Sequence, residues 1–392
     1  MSTIVGQQAV LRLIQSKQAT SQIELARALD LPSNTVHGIV KRLIAEGVIA
    51  EFRQGRGGRG RPALHFSIRR PGKVLVIIWW GSEWQGTVVG EGVEEEVTPV
   101  FLRTSAVPDF ETTRKSFVKV RNEILDRSRL RLKNLDGAIV MLNTGEMGGS
   151  AHRVSSVIPY TAELTEDTLR KWLGCETMLS KNIHLAELEL RRWTRDQVRS
   201  LVRFNVGDGV SAHYAAMGRS EMHVAAGEIG HCVRRSDGDV CGCGNRGCLE
   251  TLISGPRLIS RVRRDMSFGM QSVLAESLSK SPREFFADLE RADIDLGDAY
   301  ARTVIEEFLE HCAWGISMAV NMFQPDVVVL SGYALARRPA WQKHLASILP
   351  NLVLWAHGSA PRIENERQQA EDHLRELATE FLLRKKFHSY WI

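Results

Sequence analysis

The stretch Gly227 to Glu250, GEIGHCVRRSDGDVCGCGNRGCLE, holds four of the chain's six cysteines and one histidine. His231, Cys241, Cys243 and Cys248 follow at intervals of ten, two and five residues, with Gly242, Gly244 and Gly247 allowing the backbone to turn around one point. Three thiolates and an imidazole so spaced make a closed tetrahedral zinc site. A catalytic zinc keeps a position open, so the expected ion is structural, one per chain. The alternative is a group of buried free thiols. Arg234, Arg235 and Arg246 either offset the negative charge of the zinc unit or are simply solvated.

A cysteine-rich metal site suits a reducing compartment. The opening residues MSTIVGQQAVLRLIQ lack a basic start followed by an apolar run, and VLVIIWW is too short to span a bilayer. A cytoplasmic protein without a membrane partner is expected. Its 392 residues imply two or three domains, and a content of 43% hydrophobic and 25% charged residues implies folded ones. The net charge of +5 is uneven: residues 1–70 carry eleven Lys and Arg against four Asp and Glu, so they hold +7 and the remainder −2. Such a basic end fits a polyanion, although a solvated basic face would look the same.

Within that end, SQIELARALDLPSNTVHGIVKRLIAEGVIAEF reads as two short helices, a tight turn between them, and a strand. Ile23, Leu25, Ala26 and Leu29 supply the first apolar stripe, and Leu31 and Pro32 end it. Ser33 is the expected N-cap of the second helix, Val36, Ile39, Val40, Leu43 and Ile44 its core face, and Gly47 its stop. The opposite face then carries Asn34, Thr35, His37, Gly38 and Lys41, placed as a recognition helix requires in a major groove. Gly38 disfavours a helix by about 1 kcal/mol relative to Ala, tolerable where a partner's backbone comes close. The following RQGRGGRGRPALHFSI suits the wing of a winged helix, with Arg59 and Arg61 either in an A·T-rich minor groove or solvated on a flexible linker.

From Lys73 onward, strand and helix signals alternate. VLVIIWWG, EGVEEEVTPVFLRT and DGAIVMLNTG read as strands around the helix FETTRKSFVKVRNEILDRS. A second round has LVRFNVGDGVSAHYAAMG, the helix VIEEFLEHCAWGISMAVNMF and the strand DVVVLSG. Two similar rounds imply a two-lobed α/β body with a cleft between the lobes.

In this order, with GGRGRP after the helix-turn-helix, GEIGH before CGCGNRGCLE, and MAVNMFQPDVVVLSG near the end, nearly the whole chain resembles the ROK family. That family contains sugar kinases and sugar-responsive repressors with an added winged helix. The resemblance implies an actin-like, duplicated ribonuclease-H-like body. It divides the chain into a winged helix at 1–71, a first lobe at 72–185 rejoined by about 368–392, and a second lobe with the zinc loop at 186–367. It also implies that Glu228, His231 and Glu250 bind sugar hydroxyls, with zinc fixing the histidine's tautomer, or that the carboxylates merely brace the zinc loop.

The chain departs from the kinases of that family at several places. Lys181 and Asn182 replace the Asn-Asp pair whose aspartate takes the sugar's proton, and an amide cannot act as that base. Lys181 either contacts an acidic or modified ligand or pairs with Glu176 or Glu187. WWGSE, Trp79 to Glu83, replaces Asp-x-Gly-x-Thr; GDGVS puts Asp208 in the second phosphate loop; SGYA shortens the adenosine-side glycines; and Asn143 and Thr144 replace a Pro-Gly turn. Carboxylates at 83 and 208 repel a triphosphate, so neither ATP nor Mg²⁺ is expected as a cofactor. The expectation is a DNA-binding regulator, by resemblance a repressor, with a disabled kinase body that senses a carbohydrate-like effector. Its partners would be a double-stranded operator with an A·T-rich inverted repeat and further copies of itself, as a homodimer or homotetramer. The rivals are an active sugar kinase with a DNA-binding appendage and a ligand-independent DNA-binding protein.

Overall fold

The computed structural model describes residues 3–15, 19–54, 63–68, 72–90, 100–103, 107–142, 145–146, 153–180, 184–193, 197–218, 222–354, 361–366, 377–378 and 381. The chain opens with α1 (Thr3–Gln15), α2 (Gln22–Leu29) and α3 (Ser33–Ala45), followed by the antiparallel hairpin β1 (Ile49–Gln54) and β2 (Ala63–Ile68). Val10, Leu11 and Ile14 of α1 bury with Leu25, Val36, Ile39, Val40, Leu43, Ile49 and Phe66 in one small core. Three helices and a wing thus share an apolar centre. The first helix was missing from the sequence reading.

Local chemistry sets the ends of these helices. Ser21 caps α2 through a capping box with Glu24, whose carboxylate accepts the N–H groups of Thr20 and Ser21 at 2.9 Å each. Those bonds hold the Glu24 carboxyl below its usual range. Leu25 is fully buried, but Ile23 is 72% exposed, correcting its assignment to the stripe: it stands two residues, about 200°, round the helix from Leu25. Ser33 is not the N-cap of α3. Pro32 holds that position, and Ser33, already helical, accepts a hydrogen bond from Gln22 Nε2 at 2.9 Å. Gly47 does stop the helix, with φ 68° and its N–H on the Ile44 carbonyl.

The first lobe follows with β3 (Lys73–Trp79), β4 (Glu83–Gly90), β5 (Val100–Arg103), α4 (Phe110–Arg127), β6 (Gly137–Leu142), the short pair β7 (Gly145–Glu146) and β8 (Arg153–Val154), α5 (Glu166–Leu173) and β9 (Thr177–Ser180). After α6 (His184–Trp193), the second lobe holds β10 (Ser200–Val206), β11 (Val210–Met217), β12 (Met222–Gly227), α7 (Glu250–Ile253), α8 (Gly255–Ser267), α9 (Pro282–Ile294), α10 (Ala299–Phe323), β13 (Val327–Ser331), α11 (Pro339–Ile348) and β14 (Arg362–Asn365).

Each lobe is built on the same sheet. The strand orders are β5-β4-β3-β6-β9 and β12-β11-β10-β13-β14, with the first three strands of each antiparallel and the last two added in parallel. Both faces of the central strands are buried, which explains continuous apolar runs such as VLVIIW and VVVL. Helix α6 belongs to both cores. Leu185 and Leu188 pack on the first sheet with Leu377, Ala378 and Phe381, whereas Ala186, Leu190 and Trp193 pack on the second. Two apolar stripes on one ten-residue helix therefore join the lobes.

Candidate functional site

Helix α3 presents the face that its sequence period implied. Val36, Ile39, Val40 and Leu43 are buried, while Asn34, Thr35, His37, Gly38 and Lys41 are all exposed. A Cβ built on Gly38 meets nothing within 4 Å, so no packing inside the protein calls for glycine there. Gln22, passed over in the sequence, ties this helix to α2: its amide donates to Ser33, and its Oε1 lies 3.3 Å from His37 Nδ1. An amide at the head of the supporting helix is the signal that could have revealed it. The wing strands are as expected, and Arg59 and Arg61 at its tip lie outside the described residues.

The zinc-loop residues converge. One donor atom from each of His231, Cys241, Cys243 and Cys248 lies within 4.8 Å of all the others. Cys243 Sγ is 3.7 Å from Cys248 Sγ, and Cys241 Sγ is 3.6 Å from His231 Nδ1. A tetrahedral zinc with sulfur at about 2.3 Å and nitrogen at about 2.0 Å has S–S edges of about 3.8 Å and S–N edges of about 3.5 Å, so the donor set fits that ion. The loop backbone is shaped for it: Gly244 and Gly247 have φ of 95° and 65°, and a Cβ on Gly247 would lie 1.4 Å from the Arg235 carbonyl oxygen. Burial, then the neighbouring Cys243 and Cys241, push the Cys248 thiol up to about 12. The nearby arginines have partners of their own. Arg234 reaches Glu310 at 3.6 Å, Arg235 reaches Asp237 at 3.5 Å, and Arg246 donates to the Gly238 carbonyl.

Beside this cluster, Glu250 spans the cleft. Its Oε1 accepts from the hydroxyl of Ser156, on the first lobe, and its Oε2 accepts from the Val210 N–H at 3.0 Å on the second. Glu228 is exposed, and partial desolvation raises its carboxyl, with His231 lowering it and Glu250 raising it further. Glu228, His231 and Glu250 are thus electrostatic neighbours, with Nδ1 of the histidine turned to the thiols. Lys181, Asn182, Asn143 and Thr144 lie outside the described residues.

The segments WWGSE, GDGVS and SGYA meet in space. Hairpin turns 80–82 and 207–209 are equivalent turns of the two lobes, each between a lobe's first and second strands. Asp208, at the second tip and 4% exposed, accepts from the Ser82 N–H at the first and from the Tyr333 hydroxyl. Burial raises the Asp208 carboxyl above its usual range, and Glu83 adds to the effect.

A winged helix on a duplicated, two-lobed α/β body defines the class as a DNA-binding regulator. The winged helix-turn-helix DNA-binding model matches residues 7–50, and the ROK family model matches residues 160–369. The chain belongs to the ROK family. It is 20% identical to the xylose repressor of Caldicellulosiruptor bescii over 338 residues, 83% of this chain and 82% of the relative. It is 25% identical to the DNA-binding transcriptional dual regulator NagC of Escherichia coli over 343 residues, 83% of this chain and 79% of that one. Among solved structures, a ROK family transcriptional regulator homologous to the E. coli MLC protein shares the fold across 98% of both chains, with TM-score 0.66 and 18% identity. Among the described residues, no helix is long and apolar enough to cross a membrane.

Proposed function

We propose that the protein is a cytoplasmic, sugar-responsive transcriptional repressor that holds DNA through α3 and its wing and senses a carbohydrate-like effector in the cleft of a body that no longer phosphorylates sugars. The observation that carries this reading is the exposed face of Asn34, Thr35, His37, Gly38 and Lys41 on a helix whose other face is fully committed to the core. The repressors that the chain resembles support the sense of regulation. The working division is residues 1–71, 72–185 rejoined by 368–392, and 186–367. Arg59 and Arg61 are assigned to an A·T-rich minor groove, and two copies of α3 in a homodimer or homotetramer to an inverted repeat.

His231, Cys241, Cys243 and Cys248 would hold one structural zinc. The ion would cross-link the loop and leave the second ring nitrogen of His231 free beside Glu228 and Glu250. Those three residues, with Lys181 and Asn182, form the proposed effector site. Asn182 cannot serve as a base, and Asp208 already occupies the Ser82 N–H that a phosphate would need, so neither ATP nor Mg²⁺ enters the proposal. An effector acts by binding the two arrangements of the body unequally; a difference of about 1 to 3 kcal/mol changes operator affinity roughly 5- to 150-fold. The test is release of a selected operator duplex from the full chain by a panel of sugars and sugar phosphates. Release by one chemical class supports the reading, and indifference to all of them removes the sensing role.

A further inference from the structure

We propose that Asp208 is an internal ligand of the cleft: its carboxylate takes the place of a bound anion at the Ser82 N–H and, with the Glu83–Arg283 ion pair, latches the two lobes together in the unliganded protein. Asp208 stands on the second lobe and Ser82 on the first, so this hydrogen bond crosses the cleft. The carboxylate is fixed from its own side by the Tyr333 hydroxyl, which leaves its other oxygen for the Ser82 amide. Gly81 makes the approach possible: it has φ 104°, and a Cβ there would lie 2.7 Å from Asp208 Oδ2.

A second tie runs parallel to the first. Glu83 is 2% exposed, with Arg283 Nε of α9 at 2.8 Å on one oxygen and Arg103 Nε of β5 at 3.5 Å on the other. Glu83 is buried and paired with Arg283, which ties α9 to the first lobe. Arg283 also lies 5.8 Å from the ring centre of Tyr333, which joins the two ties into one network. Ser82, Glu83, Asp208 and Tyr333 come from the three segments WWGSE, GDGVS and SGYA, so three separate departures in sequence serve a single contact in space. A ligand that separates the lobes must replace these bonds. The latch does not depend on which effector the cleft takes.

Amide hydrogen exchange on the full chain tests it. In Asp208→Ala, amides 80–84 should exchange at least about tenfold faster than in the wild type, while β13 amides 327–331 stay unchanged. Arg283→Gln, which alters a side chain bonded to neither Ser82 nor Asp208, should speed the same amides by about threefold, because it loosens the second tie. Where Asp208→Ala does not fold, Tyr333→Phe keeps the carboxylate and removes one of its donors, and should speed amides 80–84 as well. Unchanged protection of 80–84 in Arg283→Gln, or equal loosening of β13 in every variant, would overturn the latch.

Discussion

Nδ1 of His231 lies 3.6 Å from Sγ of Cys241, although ten residues of chain separate them and the loop between has no regular secondary structure. The Val233–Cys248 and Val240–Arg246 bridges fold the loop so that four donor atoms converge, as a metal site requires. Protein purified without added metal should carry one zinc per chain by elemental analysis. Cys243 is exposed, so Cys243→Ala removes a ligand without opening a cavity. That variant should lose the zinc and about 3 kcal/mol of stability, on the order of 10 °C in melting temperature. A metal-free wild-type protein of full stability would end this account of the cluster.

Gly38 separates stability from recognition. A Cβ at this position meets open space, so Gly38→Ala should stabilise the helix by about 0.5 to 1 kcal/mol in thermal or denaturant melts. If the glycine exists to let a DNA backbone approach, the same variant binds its operator more weakly while melting higher. Equal operator affinity would show that the glycine has no role in recognition.

Acid should expose the strain at His213. This residue is buried beside Arg203, and its Nδ1 has no hydrogen-bond partner among the described residues. Burial, then the arginine's charge, lowers its pKa to about 3. The unfolded chain takes up a proton below about pH 6.5 and the folded chain does not, so stability falls as pH drops through that window. The loss is about 1.4 kcal/mol per pH unit, or about 2 kcal/mol at pH 5. His213→Phe should remove that component, measured as the difference between the urea midpoints of variant and wild type at pH 7 and at pH 5. The same difference at both values would contradict a neutral, buried histidine.

ATP consumption offers a direct check on whether the body phosphorylates sugars. With any hexose or N-acetylated amino sugar, turnover should equal that of Asn182→Ala, and Asn182→Asp alone should restore nothing while Glu83 and Asp208 remain. Sugar-dependent hydrolysis above that control would return the chain to the kinases.

Much of this was legible in the sequence because it is local. The 3.6-residue period of Val36, Ile39, Val40 and Leu43 orients α3, the unbroken apolar runs mark strands buried on both faces, and the spacing of three cysteines and a histidine marks the loop. Helix α1 escapes a sequence reading although Val10, Leu11 and Ile14 have helical spacing, because opening residues are tested first as a leader segment. Ser33 misled because a serine before an apolar helix is a common cap, yet Pro32 takes that position and Gln22 claims the hydroxyl. The strand Glu83–Gly90 was hidden by reading its start as a loop. The bond between Ser82 and Asp208 joins residues 126 apart, and no local period encodes such a pairing.

The most direct test of the central claim is selection of bound duplexes from a random DNA pool by the full chain, with Lys41→Ala and His37→Ala run beside it. The wild type should enrich an inverted repeat whose half-sites lie about 10 bp, or a multiple of that, apart, with A·T-rich sequence between or beside them. Each substitution should change the bases selected, whereas removing Arg59 and Arg61 together should weaken binding, flatten its salt dependence and relax the A·T preference. A wild-type protein that binds random and selected duplexes equally, with no change on replacing Lys41 or His37, would contradict the assignment of α3 as a DNA-reading helix.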